Sequence, residues 1–528
     1  MSGTFVKSTL ILTIATLISK ILGSVFRIPL QNIAGDEVLG IFTLVYPVYM
    51  TALILSVAGI PLAISQLISK ARVENDQQEI RNIFVTSSIL AVLFGLVSFS
   101  LLTGLSEQLA QVLGGQKTRL SIIIVSITLL IAPYMAVYRG FFQGYENMKP
   151  TAYSQVIEQF IRVALIIAIA YYTVSMDFSN EVIAGGVMIG SSIGALLSLV
   201  YLRYLFQKSS FNPASKQKYS LKDFKITSQR ILKVSLPICV GALTMALLNV
   251  VDSLSIPFSL KMAGGESAEI NYQYGLYGRG LSLVQIATVF STSIVLPLIP
   301  LISRNLAQND YENANKVIMK SQNLAHLFSW PAALGLLGLA LPLNLGLFTD
   351  LNGSLVLALI GLSAVFTSLT VLGTGILQGL EESKLAAWII VLGALIKVVF
   401  NFVFIQLYGL VGAAIATLLI YILIWLVNSY FIWKKTNVKF ATRETFVQFG
   451  SSILMGALIG VPTLFLGLQA WGRLEALLYG FGGVIIGAVV YLFAVIAFKG
   501  FSAEELNRIP GINKFIKMAG FNQKYPNK

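Results

Sequence analysis

Charge is what this sequence has least of. Asp, Glu, Lys and Arg together make up 11% of its 528 residues, against 56% hydrophobic residues. A soluble globule carries about a quarter charged residues, so a water-soluble fold is excluded and a lipid bilayer is the solvent that fits. Cysteine and histidine are nearly absent as well. With Cys239 alone, an intramolecular disulfide and a cysteine-based metal site are excluded. With His326 alone, a His-pair zinc motif is excluded, and the residue reads as a packed or interfacial side chain.

The motifs of soluble catalysis are missing too. Gly190, Ser192 and Gly194 have nucleophile-elbow spacing but sit in a run of Gly, Ser and Ala, where close helix packing is the simpler account. Gly115, Gln116, Lys117 and Thr118 fall short of a phosphate loop, because Gly and Lys are not adjacent. No ATPase engine, cofactor or metal site is called for, and the chain reads as a non-enzyme.

What is present is apolar sequence in long runs. A bilayer core takes about 20 residues per helical span, which gives this chain room for about fourteen. Spans are expected near 8–33, 38–69, 82–105, 119–142, 153–174 and 181–206, then 234–260, 272–302, 317–341, 354–379, 385–406 and 410–433. Two more lie near 446–469 and 474–498. The first run carries Lys20 and Arg27, which sets it apart from a signal peptide.

The net charge of +14 has its meaning in where the cations fall. With a cytoplasmic N-terminus, 28 of the 37 Lys and Arg residues lie in cytoplasmic segments; four (Lys117, Arg119, Lys261 and Arg473) lie outside. This is the positive-inside pattern. It places both termini in the cytoplasm and assigns the basic linker 207–233 and the C-terminal tail to anionic lipid headgroups, not nucleic acid.

An internal repeat is legible. Leu67, Ile68, Ser69, Lys70, Asn75 and Asp76 return as Leu301, Ile302, Ser303, Arg304, Asn309 and Asp310. Gln143, Gly144, Glu146 and Lys149 return as Gln378, Gly379, Glu381 and Lys384, and Arg162 returns as Lys397. The shift is six spans, an even number that preserves orientation. The expected fold is all-α and polytopic: a six-helix lobe over 1–206, the linker, and a second six-helix lobe over 234–433, related by a pseudo-two-fold axis along the membrane normal. Residues 434–528 add two helices and a basic tail.

Charges within spans are costly, by about 2.5 to 3.5 kcal/mol each, and are candidate functional groups. They are Lys20, Arg27, Arg162, Arg279 and Lys397, against Glu158 and Asp252. Lys20 and Arg27, seven residues apart, would share one face of the first helix. Arg279 lies among Gly275, Gly278 and Gly280 and could fork onto a phosphate. Glu158 and Arg162, four apart, have the spacing of an intrahelical ion pair. Lys397 lacks an acidic residue four positions earlier, where Gly393 sits, but has Asn401 four later. Asp252 is the candidate for a coupling ion, H⁺ or Na⁺.

The segments KSTLILTIATLISKILGSVFRIPL, VAGIPLAISQLISK and RGFFQGYENMKPTAYSQVIEQFIRV resemble the polysaccharide-transporter branch of the multidrug, oligosaccharidyl-lipid and polysaccharide exporter superfamily. Within it the likeness is to the stage V sporulation protein B group and the lipid II flippases of Gram-positive bacteria. The resemblance implies a fourteen-helix fold with a cavity lined by spans 1, 2, 7 and 8. It implies a flippase in the bacterial plasma membrane that moves an undecaprenyl-pyrophosphate-linked cell-wall or polysaccharide precursor, such as lipid II, by alternating access. It also implies pyrophosphate contacts from basic residues of spans 1, 2 and 8; Lys20, Arg27 and Arg279 occupy spans 1 and 8, and span 2 has none in its membrane part. The alternatives are a cation-coupled drug exporter, which should show acids in its cavity, and a membrane-embedded glycan polymerase or ligase, which should carry a large external catalytic loop.

Overall fold

The computed structural model describes residues 3–57, 59–209, 219–439 and 441–500. Lys216 and Lys218 of the expected linker and the whole tail from 501 lie outside these. Within them the chain is helix and turn, with no strand. By compactness it forms two units, Met1–Gly278 with Ile390–Ala413, and Arg279–Ile389 with Ala414–Lys528.

The helices in chain order begin with α1 (Gly3–Val25), α2 (Arg27–Val57), α3 (Ile60–Val73), α4 (Gln77–Gly104), α5 (Ser106–Val112) and α6 (Arg119–Ser126). Then come α7 (Thr128–Gly144), α8 (Lys149–Ser175), α9 (Asn180–Lys208), α10 (Leu221–Met262), α11 (Ser267–Ala307) and α12 (Tyr311–Gly338). The last six are α13 (Ala340–Phe348), α14 (Ser354–Gly379), α15 (Ser383–Tyr408), α16 (Leu410–Thr436), α17 (Arg443–Gly460) and α18 (Arg473–Ala497). Part of the expected linker is therefore helix: Ser220 caps α10 in a capping box with Asp223, and Arg230 pairs with Glu79 of α4.

Among the described residues ten segments are long and apolar enough to cross a membrane, or twelve when each of two bent pairs is one span. This is fewer than the fourteen expected. Residues 11–73 count as one stretch of 63 residues, where two spans were expected. At 1.5 Å per residue that is roughly 95 Å, three times a bilayer core of about 30 Å, so the stretch must bend. It does so at Gly35 (φ 80°) and Gly59 (φ 83°), backbone conformations that only glycine adopts without strain. The expected span 272–302 falls in α11, which is not among the ten.

Helices meet where side chains are small. In α18, Gly480, Gly483 and Gly487 lie against Leu343, Leu339 and Ile459, while Leu478, Ile485 and Ile486 point outward and exposed. Apolar residues outside and a tight seam inside are what a lipid solvent selects. The expected small-residue role of Gly190 and Gly194 also holds. A Cβ on them would stand 2.9 Å from the Arg162 carbonyl and 2.7 Å from that of Glu158, so α9 closes on the α8 backbone there. Ser192 bonds Thr128 at 2.9 Å.

The repeat returns as matched local geometry. Asn75 and Asn309 have φ of 55° and 56°, and Glu146 and Glu381 have 59° and 64°. Asp76 and Asp310 each cap the following helix through the amide three residues on. Gly144 packs on Ile68, and Gly379 packs on Ile302.

In the first unit α2 meets α11 without side chains between them: a Cβ on Gly40 would lie 1.8 Å from the Asn271 carbonyl, and one on Gly275 2.0 Å from that of Asp36. Gly275→Val should therefore lower the thermal midpoint of the detergent-purified protein, with an overpacking cost of about 1 to 3 kcal/mol or more. Gly104→Ala, where nothing lies within 4 Å of the added Cβ, should leave it unchanged. A fluorescence-detected melting curve compares the two.

Candidate functional site

Each charge placed within a span has a definite setting, and several differ from expectation. Lys20 is on α1, partly buried, but Arg27 is not on the same helix. The chain turns at Phe26, and Arg27 opens α2. Pro29 is the reason: it has no N–H for the Val25 carbonyl and its ring clashes there, so it is tolerated in the first turn of a new helix and not within a continuing one. The two residues therefore lie on either side of this break and not in one continuous helix.

Arg27 is only 3% exposed, and its Nε and Nη1 have no hydrogen-bond partner. Its guanidinium carbon lies 5.9 Å from the ring centre of Phe42 and 5.8 Å from that of Tyr46, one turn further along α2. Arg162, reaching in from α8, stands over the same Tyr46 at 5.3 Å. It too is buried, with Nε unpartnered. Phe42 and Tyr46 are stacked, centroids 5.4 Å apart. Two guanidiniums thus share an aromatic wall in an apolar core. The ring faces give a partial cation–π return, but buried N–H groups left unbonded are costly.

Glu158 does not pair with Arg162. Arg139 of α7 takes it instead, Nη2 to Oε2 at 2.7 Å, and is held by the Ser154 hydroxyl at 3.0 Å and that of Ser198 at 3.3 Å. The helix-spacing argument failed because a neighbouring helix supplies a better-placed cation, while Arg162 turns toward α2. Arg139 was not singled out in the sequence. It falls inside the expected span 119–142, and only its neighbourhood to Glu158 in the fold shows its role.

Lys397 and Asp252 form one cluster. The ammonium lies 2.6 Å from Asp252 Oδ2, and the two side chains are 0% and 3% exposed. Tyr277 donates to the same oxygen at 3.0 Å, and Asn401 Nδ2 donates to Oδ1 at 3.1 Å. The position expected to hold a coupling ion thus faces a lysine from α15.

In the second unit Arg279 also has an acidic partner that its sequence neighbourhood did not show. Asp350 receives both ends of its fork, Nη1 to Oδ1 at 2.9 Å and Nη2 to Oδ2 at 2.8 Å. Asn344 Oδ1 accepts a further bond at 2.9 Å, and the Phe348 ring centre is 5.3 Å away. The side chain is 1% exposed. His326 is buried and accepts from Trp330 Nε1 at 3.1 Å, as a packed residue would.

Residues 5–306 match the family model described as polysaccharide biosynthesis protein, and 275–403 match the MatE model. The chain belongs to the polysaccharide biosynthesis protein family. Among its relatives in Bacillus subtilis (strain 168), the uncharacterized membrane protein YabM is 30% identical over 96% of this chain and 95% of its own. Stage V sporulation protein B is 26% identical, covering 97% and 99%; the lipid II flippase MurJ is 26% identical, covering 98% and 100%. Of solved structures, an inward closed lipid II flippase MurJ aligns with a TM-score of 0.64 at 17% identity over 92% of this chain and 100% of that one. An inward-facing multidrug resistance MATE transporter of the MOP superfamily aligns at 0.58 and 17% identity, covering 81% and 96%. The fold is that of this superfamily. The family chain is accordingly a multi-span membrane protein of the exporter superfamily the sequence resembled, and the named activities among its relatives are transport and flipping.

The reassignment of Glu158 is open to a double-mutant cycle. Glu158→Gln should destabilise the wild-type protein, and most of that effect should vanish in an Arg139→Gln background while persisting in Arg162→Gln. Melting midpoints of the wild type, the three single variants and the two double variants decide it; equal coupling to both arginines would restore the pair expected from spacing.

Proposed function

We propose that this protein is a flippase for an anionic lipid-linked glycan precursor, carried on undecaprenyl pyrophosphate as in lipid II, in the plasma membrane of a bacterium with both termini in the cytoplasm. The observation that carries this reading is the pair Arg27 and Arg162: two buried guanidiniums with open N–H groups and, among the described residues, no carboxylate in an ion pair with either. A group that brings dispersed negative charge and acceptor oxygens would satisfy them, and charge-assisted bonds in a low-dielectric core are strong. Lys20 supplies a third cation nearer the start of the fold. Arg279 offers a separate fork, now closed by Asp350 in the bidentate manner a phosphate also uses.

The headgroup would bind from the cytoplasm, cross as the protein changes conformation, and leave outside while the polyprenyl tail stays in lipid. Energy would come from the membrane potential or an ion gradient. Peptidoglycan synthesis and sporulation are the proposed settings, in line with relatives named lipid II flippase and stage V sporulation protein B. A drug-cation exporter is disfavoured because Glu158 and Asp252 are each neutralised by a cation, which leaves no free acid among them to attract a cationic drug.

The test is translocation of a lipid-linked precursor in depleted cells or proteoliposomes, with membrane levels of each variant checked. Arg27→Gln, Arg162→Gln and Lys20→Glu should each slow flipping by roughly tenfold or more, and Lys20→Arg should be milder because the charge remains. Normal flipping by all three at normal protein levels would return these residues to a structural role.

A further inference from the structure

The geometry points to Lys397 as a tethered cation, a side-chain ammonium that takes the place a dissociable Na⁺ or Li⁺ would hold in an oxygen-lined pocket. It rests on the transport reading for its meaning, though not for its main test.

The pocket is built from three helices of the first unit. From α10 come Asp252 and Ser255, from the start of α11 Tyr277, and from α15 Lys397 and Asn401. Around the Asp252 carboxylate stand the Tyr277 hydroxyl at 3.0 Å and the Asn401 amide at 3.1 Å; that amide also donates to Ser255 Oγ at 2.8 Å. The remaining oxygen of the group, Asn401 Oδ1, is buried without any hydrogen-bond partner. A carboxylate, an amide carbonyl and two hydroxyls, all oxygen and all hard, are the donor set of a small hard cation. One carboxylate suits one positive charge.

Lys397 Nζ supplies that charge at 2.6 Å from Oδ2, in a site without solvent exposure. Its charge equals that of Na⁺, but the butyl stem fixes it in place. A dissociable ion would make the closure of these three helices depend on ion concentration. A tethered one makes it constitutive, and it leaves no vacancy for a free cation here. Removing the ammonium alone should strand a buried carboxylate, which is strongly unfavourable, and so create the vacancy.

The experiment compares melting midpoints of the purified full-length protein in NaCl, LiCl and choline chloride at one ionic strength. Lys397→Met should gain a rise of roughly 3 °C or more in NaCl or LiCl over choline. The wild type and the doubly neutral Asp252→Asn/Lys397→Met variant should show no cation-specific rise. A specific rise in the wild type overturns the proposal, and so does the lack of one in Lys397→Met. Should Lys397→Met fail to reach the membrane, the wild type still decides. Its rate of headgroup translocation at fixed membrane potential should be unchanged when choline replaces Na⁺, and a strict Na⁺ requirement would overturn the proposal. If no lipid moves under any condition, the flippase reading fails while the melting comparison still stands.

Discussion

A charge inside a bilayer-spanning protein has no water to fall back on, and the arrangement of this fold follows from how each one is satisfied. Lys397 finds Asp252, Arg279 finds Asp350, and Arg139 finds Glu158. All three pairs join different helices or turns, so each also fixes a packing register. Arg27 and Arg162 are the exception. They are buried against aromatic rings with N–H groups open, a costly state that the proposed anionic headgroup would relieve.

Backbone geometry makes these placements possible. Glycines let α9 close on α8 beside Glu158 and Arg162, and let α11 meet α2 with no side chain between. Pro29 ends the run that carries Lys20 and sits in the first turn of the helix that carries Arg27. Gly35 then redirects the chain a second time before Phe42 and Tyr46. The cationic wall of the first unit is therefore a product of two breaks in what composition alone presents as one apolar run.

The solvent, the helical class, the repeat and most of the intramembrane charges were legible in the sequence, because each is a matter of composition or of spacing within one element; Arg139 was missed. Partnerships were not. Asp252 and Lys397 are 145 residues apart, and Arg279 and Asp350 are 71 apart; no helical periodicity connects such positions. The one pairing that spacing did suggest, Glu158 with Arg162, lost to a cation from a neighbouring helix. The break at Phe26 went unread, although Pro29 carries a signal for it, because proline is tolerated in the first turn of a helix and not in its interior. The ten to twelve qualifying segments among the described residues include the 63-residue stretch 11–73 as one, although Gly35 and Gly59 bend it.

The central claim is that the open guanidiniums of Arg27 and Arg162 hold a pyrophosphate. Its most direct test is equilibrium binding of farnesyl pyrophosphate and farnesol to the purified protein, by microscale thermophoresis at two salt concentrations. The account predicts that the pyrophosphate binds well above farnesol, that added salt weakens it, and that the Arg27→Gln/Arg162→Gln protein binds the two alike. Equal binding of both ligands by the wild type, or full retention of pyrophosphate affinity by the double variant, would contradict it.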